Sequence, residues 1–166
     1  MAKIISQIFL SFERKSVILC RNVKESSLFN RLKPMKKQKI HIEKELKCKS
    51  SNIIWPLLST PEGLMKWIAD DVKRDGDQLT FRWGELWTRH EIRTAEVREE
   101  VKGERIRFVW DDDDDKEAFW ELGLEWSDIT GDFILLITDF AYDEDLDSLS
   151  DIWDQNLEQL HMNTGL

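Results

Sequence analysis

From Met35 onward the chain sets out its segments in an order that few folds accept. One alternating stretch comes first, then two short helical turns ending in TPEGLMKW. A run of hairpin-forming strands follows, and the chain closes on one long amphipathic helix, LSDIWDQNLEQLH. A lone helix that arrives after the strands must bury its apolar stripe against a sheet face. The order therefore predicts an α+β fold. A curved antiparallel sheet of about six or seven strands wraps around a long C-terminal helix, with two short helices after the first strand.

The local pattern supports each element. Ile40, Ile42, Leu46 and Cys48 share one phase of a period-2 alternation, and His41, Glu43, Glu45 and Lys47 share the other. Lys44 interrupts the apolar phase, and it either snorkels outward near a sheet edge or carries a charge into the interior. Ser50-Ser51-Asn52 offers N-cap chemistry for a short helix that Pro56 keeps short or bent. Thr60-Pro61-Glu62 is a second helix start, with a cap hydroxyl, a proline at the first helical position and an acid near the positive dipole end.

Leu79, Phe81 and Trp83 alternate with polar residues, as do Ile106, Phe108 and Trp110, and again Trp120, Leu122, Leu124 and Trp126. Residues 86–101 read as one long strand in which no single alternation holds, so a bulge is expected there. Folding the strands on either side of the 111–115 Asp run sets Arg107 beside Glu121. Residues 133–140 are apolar in both phases, as in a strand that is central or covered on both faces. Leu146, Leu149, Trp153, Leu157 and Leu160 form one helical stripe behind an acidic N-terminus, and Gly165 suits a stop.

Charge is divided unevenly. Residues 1–34 hold seven Lys/Arg and two Glu, a net of +5, while residues 35–166 hold 17 Lys/Arg and 31 Asp/Glu, a net of −14. The whole chain carries −9, which repels phosphate and excludes a general nucleic-acid binder. No apolar run reaches the roughly 18–20 residues of a transmembrane helix, so no integral membrane segment is expected. Cys20 and Cys48 form no metal-ligand spacing and are read as reduced thiols of a cytoplasmic protein. Domain-like patterning begins only at MKKQKI. Residues 1–34 are accordingly read as an N-terminal extension, with the native protein expected to begin at Met35, and 35–166 as the domain.

This layout resembles the START-like helix-grip superfamily (SRPBCC), most of all its branch related to the activator of heat-shock protein 90 ATPase, the Aha1 type. It is also similar to uncharacterised Bacteroides-type START-like proteins. The resemblance spans about residues 37–162. It rests on IHIEKELKCKSSNIIWPLLSTPEGLMKW, on the alternation ending RIRFVW, and on a final helix whose Trp153, Leu157 and Leu160 match the family's closing stripe. Pro56 and the Asp run depart from the family pattern. The resemblance implies a cavity between sheet and last helix that holds an apolar small molecule or lipid, or else a role in engaging a chaperone or other protein. A cyclase or dehydrase is a third implied activity.

The residues expected to line such a cavity are Phe81, Trp83, Phe108, Trp110, Leu122 and Trp126, with Leu149 and Trp153 from the helix. Trp120 belongs to the same inner face. The competing reading of the same residues is a solid aromatic core. Asp139 and Tyr142, at the junction of last strand and last helix, are the polar candidates for orienting a ligand. For an enzyme, His90 would join them. The Asp run lacks the spaced ligands and turn glycine of a calcium loop and reads as a solvated hairpin tip. No catalytic motif, metal site or cofactor signature is present. The leading expectation is therefore non-catalytic binding.

Overall fold

The computed structural model describes residues 36–85 and 87–166. The expectations about residues 1–34 and Cys20 lie outside them. The elements run β1 (Gln38–Leu46), α1 (Ser51–Ser59), α2 (Pro61–Leu64), β2 (Asp71–Asp75), β3 (Gln78–Trp83), β4 (Glu91–Val101), β5 (Arg105–Trp110), β6 (Trp120–Ser127), β7 (Asp132–Ala141) and α3 (Leu146–Thr164), with a 3-10 turn at Asp143–Asp145 before the last helix. The strands form one seven-stranded sheet in the order β1-β7-β6-β5-β4-β3-β2, and every pairing is antiparallel. This is the α+β helix-grip architecture the segment order predicts.

Register assigns the faces. Leu79 pairs with Ala95, and Ala95 pairs with Trp110. Ile106 pairs with Leu122, Leu122 with Ile137, and Ile137 with Ile42. These residues look toward α3, and most are fully buried. Because side chains alternate along a strand, the intervening polar residues fall on the outer face. Arg107 and Glu121 meet there in register, with Nη2 2.6 Å from Oε2, as the sequence predicts.

β7 lies between β1 and β6, one strand in from the edge. Its outer-phase residues Ile134, Leu136 and Phe140 are half-buried. β1 is an edge strand, and Lys44 is exposed on it, which agrees with the snorkelling reading.

Three local expectations are corrected. Ser50 occupies the N-cap of α1, but no side chain caps that helix. The long strand starts at Glu91 rather than at residue 86, because Gly84 at φ +88° begins a turn that includes Glu85 and Thr88. Within β4 the expected bulge is present, between Val97 and Glu99. The last helix runs on to Thr164, where Gly165 at φ 79° ends it and donates its N–H to His161 O.

Two indoles hold the short helices in place, one between the helices and one from β3 to the segment after α2. Trp67 Nε1 donates to Leu57 O at 2.9 Å, and Trp83 Nε1 donates to Ile68 O at 2.7 Å. Thr60 caps α2 by accepting from Gly63 N at 3.1 Å. Gly63 packs so closely on α1 that a Cβ there would lie 1.9 Å from Pro56 O. α3, about 28 Å long at 1.5 Å per residue, covers the inner face through Trp153, Leu157 and Leu160.

Candidate functional site

The inner face is an aromatic cluster. Phe108 and Trp120 stack with ring centroids 4.0 Å apart, and Trp110 stacks on Trp120 at 5.5 Å. Phe81 meets Trp110 edge-on at 5.3 Å. From the helix, Trp153 approaches Trp120 at 6.1 Å and Trp67 at 6.2 Å. Such offset and edge-on pairs add modest attraction beyond their burial.

The residues expected to line a cavity fall into three groups. Phe81, Phe108, Leu122, Trp153 and Trp83 are buried and pack against one another as core. Trp110 and Leu149 are only partly buried at the core's margin. Trp126 is 44% exposed and packs on Phe133 near the β6–β7 turn, away from the cluster. The partial exposure of Trp110 and Leu149 marks one end of the helix–sheet interface. There β5 and β7 end, β1, β4 and β6 begin, and α3 makes its first turns.

Asp139 lies at that end, on the inner face of β7, where register sets it opposite Ile40. Its Oδ1 accepts from Phe140 N at 2.7 Å and its Oδ2 from Trp153 Nε1 at 3.0 Å. The residue keeps a little accessible surface, while its carboxylate is enclosed by protein. Burial pushes its pKa up to about 7, against the pull of the two donors and of Arg93 and Lys37. Around neutral pH this group exists in both protonation states, inside an aromatic surround.

A polar rim frames the same end. Arg93 lies on the inner phase of β4, opposite Phe81, with its guanidinium 4.2 Å from the Trp110 ring centroid. It also makes two hydrogen bonds to Asp112, at 2.7 and 3.1 Å. Asp113 pairs with Lys37, and Tyr142 donates to both carboxylate oxygens of Asp114, at 3.0 and 3.2 Å. Burial, together with the Asp114 hydrogen bond, pushes the Tyr142 pKa up to about 12. The Asp run is therefore more than a solvated tip. Its carboxylates tie together β4, the approach to β1 and the start of α3. Among the described residues no group of His, Cys, Asp and Glu is arranged to hold a metal.

The enzyme triplet is dispersed in its hydrogen bonding. His90 is exposed and contacts Thr88 O of its own loop at 3.2 Å. Tyr142 is committed to Asp114, and Asp139 to Phe140 and Trp153. Two polar residues on the inward-facing phase escaped sequence reasoning. Arg93 was hidden by the unfixed phase of β4, although its alternation with Ala95 and Val97 carries the signal. Asn156 is 7% exposed on the inner side of α3, three residues after Trp153. Its place beside an apolar stripe was the available clue.

Residues 35–166 match the START-like superfamily domain. A solution structure of a Bacteroides fragilis protein is 38% identical, with 77% of this chain and 91% of that chain covered and a TM-score of 0.54. The Aha1 dimer from Colwellia psychrerythraea shares 16% identity over 77% of this chain and 98% of that one, with a TM-score of 0.61. An AHSA1-like protein from Aeromonas hydrophila shares 14% over 75% and 93%, with a TM-score of 0.59. The last two similarities bear on fold alone. Among curated proteins no match was found. The helix-grip topology, the closing Trp and Leu stripe and the match across residues 35–166 together make this chain a member of the START-like superfamily.

Proposed function

We propose that this protein binds an apolar small molecule or lipid, without chemically changing it, at the open end of the helix–sheet interface. The observation that carries this reading is the margin formed by Trp110, Leu149 and Asp139. There an otherwise closed aromatic core keeps accessible surface beside an enclosed carboxylate. Apolar surface with a few convergent polar groups and a perturbed pKa is the usual composition of a small-molecule site. Phe81, Phe108, Trp120 and Leu122 then act as the packed wall behind the ligand. Tyr142 and Arg93 frame its entrance, and Trp126 plays no part. The cytoplasm is the proposed compartment. Among the described residues no helix is long and apolar enough to cross a membrane.

Titration with an environment-sensitive apolar dye tests the proposal. Saturable uptake by the native protein that Trp110→Ala or Leu149→Ala weakens at least several-fold supports it. Absence of saturable uptake by the folded protein contradicts it.

A second reading has its own observation. Trp87 is 90% exposed in the β3–β4 loop and Ile92 is 54% exposed at the start of β4. Large exposed apolar side chains serve protein contacts. A co-chaperone-like role, with a chaperone of the Hsp90 class as partner, predicts stimulation of that chaperone's ATPase by the native protein and loss of stimulation in Trp87→Ala. No stimulation by the native protein removes this reading.

A further inference from the structure

β1 is one of the two edges of the sheet and is nine residues long. β7 pairs with one side of it along its whole length, from Gln38 to Leu46. Among the described residues no strand lies against its other side. On that side every second residue turns its N–H and C=O away from the sheet. Such a row is a template for another strand, and proteins commonly guard it with charge. Lys39, His41, Glu43, Lys44 and Glu45 of β1 are all exposed. What sets this edge apart is the order of those charges.

Lys39, His41, Glu43 and Glu45 share the outer phase, while Ile40 and Ile42 share the phase that packs on the core. The basic residues come first and the acidic ones follow, so an antiparallel copy of the strand presents the complementary order. Two free edges exchange hydrogen bonds only when residues of the same parity face each other, which centres the pairing on a residue. Centred on Ile42, Lys39 faces Glu45 of the second copy and His41 faces its Glu43, each pair occurring twice. Ile42 meets itself, Gln38 meets Leu46 and Lys44 meets Ile40, so no like charges are directly opposed. The adjacent registers fit less well. Centred on Glu43, that residue faces itself and Lys39 faces Lys47. Centred on His41, the imidazoles face each other and Glu45 faces Lys37, which already pairs with Asp113.

We infer that the free edge of β1 is an interaction surface for a second copy of this chain, joined β1 to β1 in the antiparallel register centred on Ile42. The partner surface is then the same strand, as a two-fold contact requires, and the two sheets become one. Opposite charges across such a pair favour the register, and like charges would oppose it. His41 Nε2 already lies 3.6 Å from Glu43 Oε1 of its own chain, so Lys39 and Glu45 carry the discrimination. Within one chain those two residues are six positions apart on a strand, roughly 20 Å, and cannot touch. The contact is modest in size, so the association is reversible and depends on concentration. It is independent of whether the helix–sheet interface binds a ligand.

The test is sedimentation equilibrium of the full chain from about 1 µM to about 1 mM, the range in which modest interfaces equilibrate. The native protein should move from the monomer mass toward twice that mass as concentration rises. Glu45→Lys sets two lysine pairs against each other and should weaken association about ten-fold or more, as should Lys39→Glu with its two carboxylate pairs. The double variant Lys39→Glu/Glu45→Lys exchanges the charges and should restore association to within about three-fold of the native protein. That rescue is the decisive reading, because two residues so far apart in one chain restore each other only across two copies. Both positions are exposed, so the variants should keep the native circular dichroism spectrum. A native protein that stays monomeric throughout overturns the inference. So does a dimer that neither single variant weakens, or one that the double variant fails to restore.

Discussion

Trp153 of the closing helix and Asp139 of β7 are joined by a 3.0 Å hydrogen bond from the indole Nε1 to Oδ2. The bond fixes the depth at which α3 sits on the sheet, and it does so at an enclosed carboxylate whose pKa burial raises to about 7. A carboxyl whose pKa is higher folded than unfolded binds protons more readily in the native state. Its contribution to stability is complete below the unfolded value, near 4, and is lost as pH rises through about 7. Asp139→Asn should therefore flatten the pH dependence. Urea denaturation at pH 5 and pH 8 should show a difference between the two pH values that is about 1–3 kcal/mol smaller in the variant than in the native protein. An unchanged difference would mean that Asp139 is not the titrating group.

Gly63 has no room for a side chain. A Cβ there would lie 1.9 Å from Pro56 O and 2.5 Å from the Leu57 Cα, both backbone atoms. Neither can move without parting α1 from α2. Gly63→Ala is expected to cost about 2–4 kcal/mol, beyond the range of an ordinary surface substitution. Thermal denaturation checks this, and a melting temperature within a degree of the native value would refute it.

Tyr142 is the single tyrosine of the chain, so its ionisation can be followed alone by phenolate absorbance. The folded protein should titrate at about pH 12, since burial and the hydrogen bond to Asp114 both oppose the phenolate. The chain unfolded in urea should titrate near the ordinary value of about 10. Asp114→Ala should lower the folded midpoint. The same midpoint in folded and unfolded protein would contradict the placement of Tyr142 on the rim.

The Arg107–Glu121 pair on the outer face is partly open to solvent, with Arg107 also stacked 4.1 Å from the Phe119 ring centroid. Glu121→Gln should cost about 0.5–1 kcal/mol at low salt, less at high salt. Arg107→Ala should cost more, because it also removes the stacking contact. Chemical denaturation of the two variants at two salt concentrations tests the order.

The sequence was most readable where one physical rule acts alone. Period-2 alternation gave the faces of β3, β5 and β6 and therefore the Arg107–Glu121 contact, and the spacing of Leu149, Trp153, Leu157 and Leu160 gave the inner side of α3. It was least readable where a local irregularity resets the phase. The bulge between Val97 and Glu99 concealed that Arg93 points toward the helix-covered face. Pairing across a loop is equally invisible in one dimension. The five aspartates look like surface charge until Arg93, Lys37 and Tyr142 are brought against them. Trp126 shows the opposite limit. It keeps the apolar phase of β6, yet phase says nothing about how far along the strand the helix extends its cover.

The measurement that bears most directly on the binding role is native mass spectrometry of the full chain purified from its own cells, followed by denaturing extraction. The account predicts a stoichiometric apolar adduct that is released on unfolding. A clean apo mass, together with no uptake of added apolar small molecules by the folded protein, would contradict it.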